Sequence, residues 1–298
     1  MTRRSLALAL VLIAAASCAE SQPAHTAGRS NATTPSMPSA PGLAPTPSAS
    51  SSASRAALPG PLVVIVLENH SASQIMGNPC CPYLNAKASQ GRIYADYHAI
   101  THPSLPNYLA MTGGSTCGKA GTDAVAPYCR GRNLWDQLHH AGILWRVYQE
   151  SMPGRCSLTD TSLYAVRHDP EAIYADQAGS ATCAAHVVRL PSKITSLPAL
   201  SFVTPNICDD MHSCAASTGD RWLRTWLPRF LHVHGTRVVV TFDEGAGDNH
   251  VATFEVGAGV PNTTERRYST HYSLLGGIEN AFGLTRLAGA AHARPLPL

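Results

Sequence analysis

The sequence predicts an α/β fold with a mostly parallel central sheet and helices on both faces. Two runs, PLVVIVL at residues 61–67 and TRVVVTF at residues 236–242, are rich in β-branched side chains and lack polar alternation. Such runs are typical of parallel strands that are buried on both faces. Segments with apolar residues at helical spacing lie between the runs, and this alternation favours a parallel sheet covered by helices.

A third strand is predicted at Leu200–Val203, because a short apolar segment there leads directly into a polar cluster. All three strands are followed by acidic or amide side chains, as expected when a site lies outside the carboxyl ends of a parallel sheet. Apolar residues at helical spacing predict four helices, at Asn107–Met111, Arg132–His140, Asp220–Leu231 and Tyr272–Phe282.

The amino-terminal part of the chain predicts export. Residues 1–18 have a positive head, an apolar run and small residues before Cys18, which is the layout of a signal peptide. The ending also resembles a bacterial lipobox, so the sequence leaves open secretion after ordinary cleavage and anchoring to the outer face of the membrane through a lipidated Cys18. Residues 19–58 are rich in Ser, Ala and Pro and predict a disordered stalk, while residues 59–298 predict one folded domain.

Composition narrows the class of protein. The chain has 298 residues, of which 44% are hydrophobic and 14% are charged. Its formal net charge is only +3 and its basic residues are scattered along the sequence, so no nucleic-acid surface is expected.

Nine cysteines are present, and eight remain after Cys18, an even set that predicts disulfides in an exported chain. A zinc ribbon is disfavoured because no cysteine pair has the required two-residue gap. Cys208 and Cys214 are close enough to form a local disulfide.

Two pairs of oxygen donors follow the two longest predicted strands. Glu68 and Asn69 come directly after the first, and Asp243 and Glu244 after the second. An acidic residue after a strand is often only a helix cap. Two such pairs at neighbouring strand ends would instead converge on a divalent cation, which removes the repulsion between adjacent carboxylates.

The segment THPSLPNY, residues 101–108, holds a serine between two prolines before a predicted helix. Ser104 could be a plain helix cap. Near a cation and a helix amino terminus, its hydroxyl would instead be a nucleophile towards a phosphoryl group, with His102 and Asn107 binding the non-bridging oxygens. Thr101 is the alternative nucleophile.

Three histidines lie in polar segments beside acidic or hydroxyl residues, and these are His212, His250 and His271. They are candidates for phosphate contact, metal ligation or proton donation to a leaving group. Eight other histidines lack such context and are interpreted as structural or surface residues; they are His25, His139, His140, His168, His186, His232, His234 and His292.

Taken together, the motifs resemble those of the bacterial phosphoesterase family, which includes secreted acid phosphatases and phospholipases C within the alkaline-phosphatase-like superfamily. The segments that carry the resemblance are VVIVLENHS, THPSLPNYLAMTGG, TPNICDDMH, TFDEGAGDNHV and HYSLLGGIENAFGL, in this order between residues 63 and 284. The chain looks most like small secreted acid phosphatases of actinobacteria, some of which act on phosphoinositides.

The resemblance implies a metal-dependent enzyme that hydrolyses phosphate esters through a phospho-enzyme on Ser104. It implies catalytic roles for His212 and His271 and phosphate binding by His102, Asn107 and His250. The metal positions of the family match Glu68, Asn69, Asp243 and Glu244. One or two divalent ions remain open, because Asp209, His212 and His271 could form a second site or bind phosphate directly. A phosphomonoesterase is favoured over a phospholipase C-type diesterase and over a catalytically silent, lipid-tethered binding protein.

Overall fold

The fold was analysed in a computed structural model that describes residues 60–298. The predicted signal peptide, Cys18 and the predicted stalk therefore lie outside the described residues. The strands are β1 (Leu62–Leu67), β2 (Arg92–Tyr94), β3 (Tyr97–His98), β4 (Trp145–Gln149), β5 (Val187–Arg189), β6 (Leu200–Thr204), β7 (Arg237–Phe242), β8 (Phe254–Gly257), β9 (Thr263–Glu265) and β10 (Ser269–Thr270).

Eight strands form the central sheet in the order β5-β4-β6-β1-β7-β8-β2-β9, and β10 pairs with β3 separately. The five strands from β5 to β7 in this order run parallel, whereas β8 is antiparallel to both β7 and β2. All six residues of β1 are fully buried, so both faces of the sheet centre are covered. The prediction of a mostly parallel α/β sheet is confirmed, with the antiparallel β8 as an addition.

The helices are α1 (Ala72–Ile75), α2 (Pro82–Ala88), α3 (Ser104–Gly113), α4 (Leu134–His140), α5 (Ala181–His186), α6 (Ala216–Leu231), α7 (His271–Phe282) and α8 (Ala288–His292), with a 3₁₀ turn at Val166–His168. The four predicted helices correspond to α3, α4, α6 and α7. Helix α3 packs against α4 and α7, and α2 packs against α6, so the helices form two packed groups.

Helix α3 starts three residues before its predicted beginning, and this difference matters for the site. Pro103 is its extended N-cap residue, so Ser104 occupies the first helical position. All ten residues of α3 are buried, and the helix ends at Gly114, whose φ of 68° is left-handed. A glycine is suited to this C-terminal position because it adopts positive φ without steric cost.

Three disulfides join pairs of cysteines that both lie within residues 60–298, and each closes a loop beside the sheet. They join Cys117 to Cys129, Cys156 to Cys183 and Cys208 to Cys214. The local pairing of the last two was predicted, and the six bonded cysteines are not available for a zinc ribbon. Within residues 60–298, no helix is both long enough and apolar enough to cross a bilayer.

Candidate active site

The register of the central strands places the predicted oxygen donors side by side. Strand β1 pairs with β7 so that Leu67 lies opposite Phe242. The next residues along the two strands are Glu68 and Asp243, and both are fully buried. The Asp243 amide donates to the Leu67 carbonyl over 2.9 Å, which continues the ladder to this point. Two acidic side chains therefore meet at the carboxyl edge of the sheet.

Ser104 faces these acids from the amino terminus of α3. Its hydroxyl donates to Glu68 Oε2 over 3.2 Å and to Asn69 Oδ1 over 3.4 Å. Only 1% of Ser104 is exposed. The alternative nucleophile, Thr101, directs its hydroxyl to the His102 carbonyl instead. Of the two hydroxyls, that of Ser104 is in contact with the acidic cluster.

Asn69, Asp243 and Glu244 form a set of converging oxygen donors. The backbone N–H of Asn69 donates to Asp243 Oδ1 over 3.0 Å. The side-chain oxygen of Asn69 faces acceptors, and turning the amide brings its nitrogen within 3.3 Å of Asp243 Oδ1 and 3.0 Å of Glu244 Oε1. Without that rotation three oxygens meet, an arrangement that a cation between them would stabilise. Amide and carboxylate oxygens are ligands that divalent cations accept, so the residues fit the predicted metal.

The pKa values of Glu68 and Asp243 are both raised by their surroundings. Burial raises the pKa of Glu68 well above its usual value, and the charges of Asp243 and Asp210 raise it further. Burial, and then the nearby Glu244 carboxylate, raise the pKa of Asp243 to about 7. A bound cation would favour the ionised carboxylates and reverse both effects.

A second group of ionisable side chains lies on the other side of Glu68. His168 Nε2 is 3.3 Å from Glu68 Oε2, and His168 Nδ1 is 3.6 Å from Asp210 Oδ2. All three residues are buried. Burial lowers the pKa of the His168 imidazole well below its usual value, which favours the neutral ring. The interpretation of His168 as a merely structural or surface residue must be corrected, because its ring lies against the proposed site.

Tyr108 is another site residue that the sequence did not single out. It lies one turn after Ser104 in α3, and its hydroxyl donates to Glu68 Oε1. Its ring stacks on the His168 ring at a centroid distance of 5.5 Å. Residues four apart lie on one face of a helix, so the spacing of Ser104 and Tyr108 was the available signal.

Asn107, predicted to bind phosphate, makes all its side-chain hydrogen bonds in the structure to the loop that precedes Ser104. Its Nδ2 donates to the carbonyls of Thr101 and Pro103, over 2.8 and 3.1 Å. Its Oδ1 accepts from the amides of Ile100 and Thr101, over 2.9 and 3.1 Å. The side chain is fully buried. Because its hydrogen-bonding groups are engaged with this loop, Asn107 positions the segment before Ser104 rather than presenting a free amide to phosphate.

The predicted histidines separate into two groups. His102 Nδ1 lies 2.5 Å from Glu244 Oε2, with 40% of the His102 side chain exposed, and this hydrogen bond raises the His102 pKa. The His212 ring lies 5.6 Å from the His168 ring. The first group, His102 and His212, therefore borders the acidic cluster.

The second group is held within the protein frame. His271 is fully buried, and its two ring nitrogens contact the Tyr97 hydroxyl at 3.0 Å and the Asp243 carbonyl at 2.6 Å. Both nitrogens are engaged, so this geometry does not support His271 as the proton donor and assigns it a positioning role. His250 contacts the Ala95 carbonyl at 3.0 Å and stacks on His98, which directs this nitrogen to the frame rather than to a phosphate.

The proposed second site of Asp209, His212 and His271 does not assemble as predicted. Asp209 Oδ2 accepts from Asn206 Nδ2 over 2.7 Å. The neighbouring Asp210 is the acid that faces Glu68 and His168. The acidic pair in the DDMH motif was recognised, but adjacent residues point in different directions and the sequence does not show which one faces the site.

An arginine and an aspartate complete the edge of the site. Asp123 Oδ1 accepts the Leu105 amide over 3.0 Å, at the amino terminus of α3. Arg167 Nε lies 3.4 Å from the other oxygen of Asp123, and Arg167 Nη2 lies 3.3 Å from His212 Nε2. These contacts link the start of α3 to the turn that carries His168.

Comparison with known proteins identifies relatives of the whole domain. A family model described as "Phosphoesterase family" matches residues 79–285. The chain is 32% identical over 243 residues to the phosphatidylinositol-3-phosphatase of Mycobacterium tuberculosis. The matched region covers 79% of this chain and 81% of that protein. It is 30% identical over 226 residues to the phosphate-repressible acid phosphatase of Penicillium chrysogenum. The matched region covers 68% of this chain and 55% of the fungal protein. The chain thus spans about half the length of such fungal relatives.

Solved structures share the fold at low sequence identity. A protein of the alkaline phosphatase superfamily from Vibrio parahaemolyticus has a TM-score of 0.57 at 13% identity, covering 81% of this chain and 71% of that chain. The lipoteichoic acid synthase LtaP from Listeria monocytogenes has a TM-score of 0.52 at 7% identity, covering 80% of this chain and 77% of that chain. The predicted alkaline-phosphatase-like fold is confirmed. Because the family model matches well over half of its length, the chain belongs to the phosphoesterase family.

Proposed function

We propose that this protein is an exported, metal-dependent phosphomonoesterase that works through a phosphoserine on Ser104. The observation that carries the proposal is the contact of the Ser104 hydroxyl with Glu68 and Asn69 beside the buried Asp243. In this arrangement the proposed nucleophile, its proposed proton acceptor and the proposed oxygen ligands of a cation lie close together. The proposed cation ligands are Glu68, Asn69, Asp243 and Glu244.

The proposed roles of the residues specify which bonds would form and break and where the proton would move. Ser104 Oγ forms a bond to phosphorus as the bond between phosphorus and the leaving oxygen breaks. The Oγ proton moves to Glu68 Oε2, its acceptor at 3.2 Å. The leaving oxygen takes its proton from His212. Water then attacks phosphorus and gives a proton to His212, the Oγ–P bond breaks, and the proton held by Glu68 returns to Ser104 Oγ as inorganic phosphate leaves. A bound divalent cation supplies Lewis-acid stabilisation of the phosphoryl charge.

The amino terminus of α3 and two histidines support phosphate binding. Helix amino termini favour anions, and Ser104 is the first residue of a ten-residue helix. His102 has a partly exposed side chain next to Glu244, where it could contact a non-bridging oxygen. His212 is the better candidate for proton donation to the leaving group, because it is partly exposed whereas His271 is fully buried with both nitrogens engaged.

The proposed substrates are phosphoinositides or small organic phosphate monoesters. The relative from Mycobacterium tuberculosis is named a phosphatidylinositol-3-phosphatase, and two fungal relatives are named acid phosphatases. The export signal predicted at residues 1–18 would place the reaction outside the cell membrane. Lipidation of Cys18 would add a tether to that membrane, and cleavage without lipidation would give a secreted enzyme.

The test combines substrate choice with a serine variant. We expect the protein to release phosphate from p-nitrophenyl phosphate and a phosphoinositide, with little hydrolysis of bis-p-nitrophenyl phosphate, and to lose activity with a chelator. Faster hydrolysis of the diester would indicate phospholipase C chemistry. No hydrolysis of any of the three substrates with any metal would favour a binding protein.

The Ser104→Ala variant tests the nucleophile directly. We expect it to keep the wild-type melting temperature and to abolish turnover, because the attacking oxygen is removed. Acid-quenched wild-type protein should carry phosphate on the peptide that contains Ser104. The exposed Ser89 provides a matched control, since Ser89→Ala should retain full activity. Near-normal activity of Ser104→Ala would refute the mechanism.

A further inference from the structure

Arg167 is a cation at the edge of the site that the proposed chemistry does not yet use. It lies in the 3₁₀ turn at Val166–His168. Its Nε is 3.4 Å from one carboxylate oxygen of Asp123, and the other oxygen of Asp123 accepts the Leu105 amide over 3.0 Å. A single carboxylate therefore separates the guanidinium from the residue that follows Ser104.

The contacts of the guanidinium leave donors for a ligand. Nε faces Asp123, and Nη2 donates to His212 Nε2 over 3.3 Å. Within residues 60–298, Nη1 makes no hydrogen bond, and Nη2 has a second N–H. The Arg167 side chain is 24% exposed, so a solute can reach it. The planar fork of an arginine matches the oxygens of a phosphoryl group, which it binds through two parallel hydrogen bonds.

The charges at this edge of the site favour an anion beside Arg167. Burial, and then the charge of Arg167, lower the pKa of His212, so that this ring is held neutral. The guanidinium therefore carries the positive charge here. A phosphate monoester brings up to two negative charges to a site that already holds buried acids. A fixed guanidinium next to the amino terminus of α3 offsets part of that charge where the nucleophile lies.

The contact between Arg167 and His212 also bears on proton donation. A guanidinium can only donate, so His212 Nε2 is the acceptor in this hydrogen bond. The other ring nitrogen, Nδ1, lies 3.1 Å from the Ser213 hydroxyl. While Nε2 accepts from Arg167, it holds no proton for a leaving oxygen. A phosphoryl group that draws Nη2 to itself would free His212 Nε2 to carry that proton.

We propose that Arg167 binds the non-bridging oxygens of the substrate phosphoryl group through Nη1 and Nη2, with Nε directed towards Asp123. The proposal rests on the proposed function, because it assigns the phosphoryl group to the space between Ser104 and Arg167. The ligand class is a phosphate monoester or inorganic phosphate. His102, which lies beside Glu244, contacts the same group from another edge of the acidic cluster.

The competing role for Arg167 is structural. Its pair with Asp123 could serve only to fasten the 3₁₀ turn to α3. The two side chains are 24% and 37% exposed, and ion pairs at such positions contribute little to stability. The two roles predict different phosphate affinities when Arg167 is replaced. Phosphate affinity can be measured without any turnover.

The experiment measures inorganic phosphate binding to the full chain by isothermal titration, with Mg²⁺, Mn²⁺ and Zn²⁺ in turn. We expect Arg167→Ala to keep the wild-type melting temperature and to raise the dissociation constant about 10–100-fold, the range for losing one hydrogen bond to a charged group. Arg167→Lys should raise it less, because lysine keeps the charge without the planar fork. Arg224 is exposed on α6, and Arg224→Ala is the matched control that should bind phosphate as the wild type does. Unchanged phosphate affinity in Arg167→Ala, or no phosphate binding by the wild type, would overturn the proposal.

A chemical measurement on the wild type keeps the test valid if the Arg167 variants do not fold. Phenylglyoxal modifies accessible arginines, and bound inorganic phosphate should protect Arg167, whereas Arg224 should react equally with and without phosphate. Modification of Arg167 at the same rate in both conditions would refute the binding role.

The same measurements separate this proposal from the proposed function. Turnover of phosphate monoesters by Arg167→Ala at the wild-type kcat/KM, with unchanged phosphate affinity, would refute the role of Arg167 and leave the proposed function intact. Phosphate binding that depends on Arg167, without turnover of any phosphate ester by the wild type, would support the binding role and refute the proposed function.

Discussion

Replacing Asn107 by alanine should destabilise the protein, and this outcome distinguishes a loop-positioning role from a phosphate-binding one. The side chain makes four hydrogen bonds to the backbone of residues 100–103. A hydrogen bond makes a net contribution of about 0.5–1.5 kcal/mol to the free energy of unfolding. Because water can replace some of the four bonds in the variant, we expect the free energy of unfolding to fall by about 3 kcal/mol. For a domain of this size, that corresponds to a fall in melting temperature of roughly 6–12 °C.

The assay is thermal and urea unfolding of Asn107→Ala, together with phosphate binding and phosphatase turnover. Turnover should fall as well, because the loop that precedes Ser104 loses its support. Asn262 is exposed and donates one hydrogen bond to the Ser89 carbonyl, so Asn262→Ala is the matched control and should change stability by less than about 0.5 kcal/mol. An unchanged melting temperature with weakened phosphate binding in Asn107→Ala would refute the positioning role.

Two further predictions concern α7 and its surroundings. Burial raises the pKa of Glu279 from 4.5 to about 7, so the native state holds a proton that the unfolded chain releases, and stability falls as pH rises through this interval. Glu279→Gln should therefore be more stable than wild type by about 1–2 kcal/mol at pH 8, after allowance for partial solvent screening, and similar to it at pH 4. Urea titrations at both pH values test this, and a difference independent of pH would contradict it. A Cβ on Gly277 would lie 2.8 Å from the Leu296 carbonyl oxygen, whereas on Gly276 its nearest neighbour, the Ala290 carbonyl oxygen, is 3.4 Å away. Gly277→Ala should cost about 1–3 kcal/mol, and Gly276→Ala should be neutral or stabilising by up to about 1 kcal/mol; equal melting temperatures would refute the packing argument.

The central strands could be predicted from the sequence because their burial imposes an unmistakable pattern. The runs that form β1 and β7 are apolar at almost every position, and their ends locate Glu68 and Asp243 without further information. Strand β4 lacked this signal, since WRVYQ includes a charged residue and is short. The antiparallel β8 was missed for a similar reason, because its four residues contain the buried Glu255, which pairs with Arg92.

The grouping of the candidate site residues was partly predictable, and the differences have one physical cause. The proximity of Ser104 to the donors at the strand ends could be predicted because their positions follow from strand and helix termini. The partners of polar side chains are set by tertiary contacts that sequence neighbours do not reveal. Asn107 was assigned to phosphate although it satisfies its own loop. His168 was set aside because its acidic neighbours, Glu68 and Asp210, are remote in the sequence.

The disulfide between Cys208 and Cys214 has a consequence for how firmly one edge of the site is held. It closes the loop that carries Asp210 and His212, over a sequence separation of six residues. Within that loop Met211 adopts a φ of 82°, a conformation that is costly for a residue other than glycine. In a reduced chain only non-covalent contacts would restrain this backbone. The disulfide therefore adds a covalent restraint to the hydrogen bonds that hold Asp210, and reducing it should loosen the position of Asp210 beside Glu68 and His168.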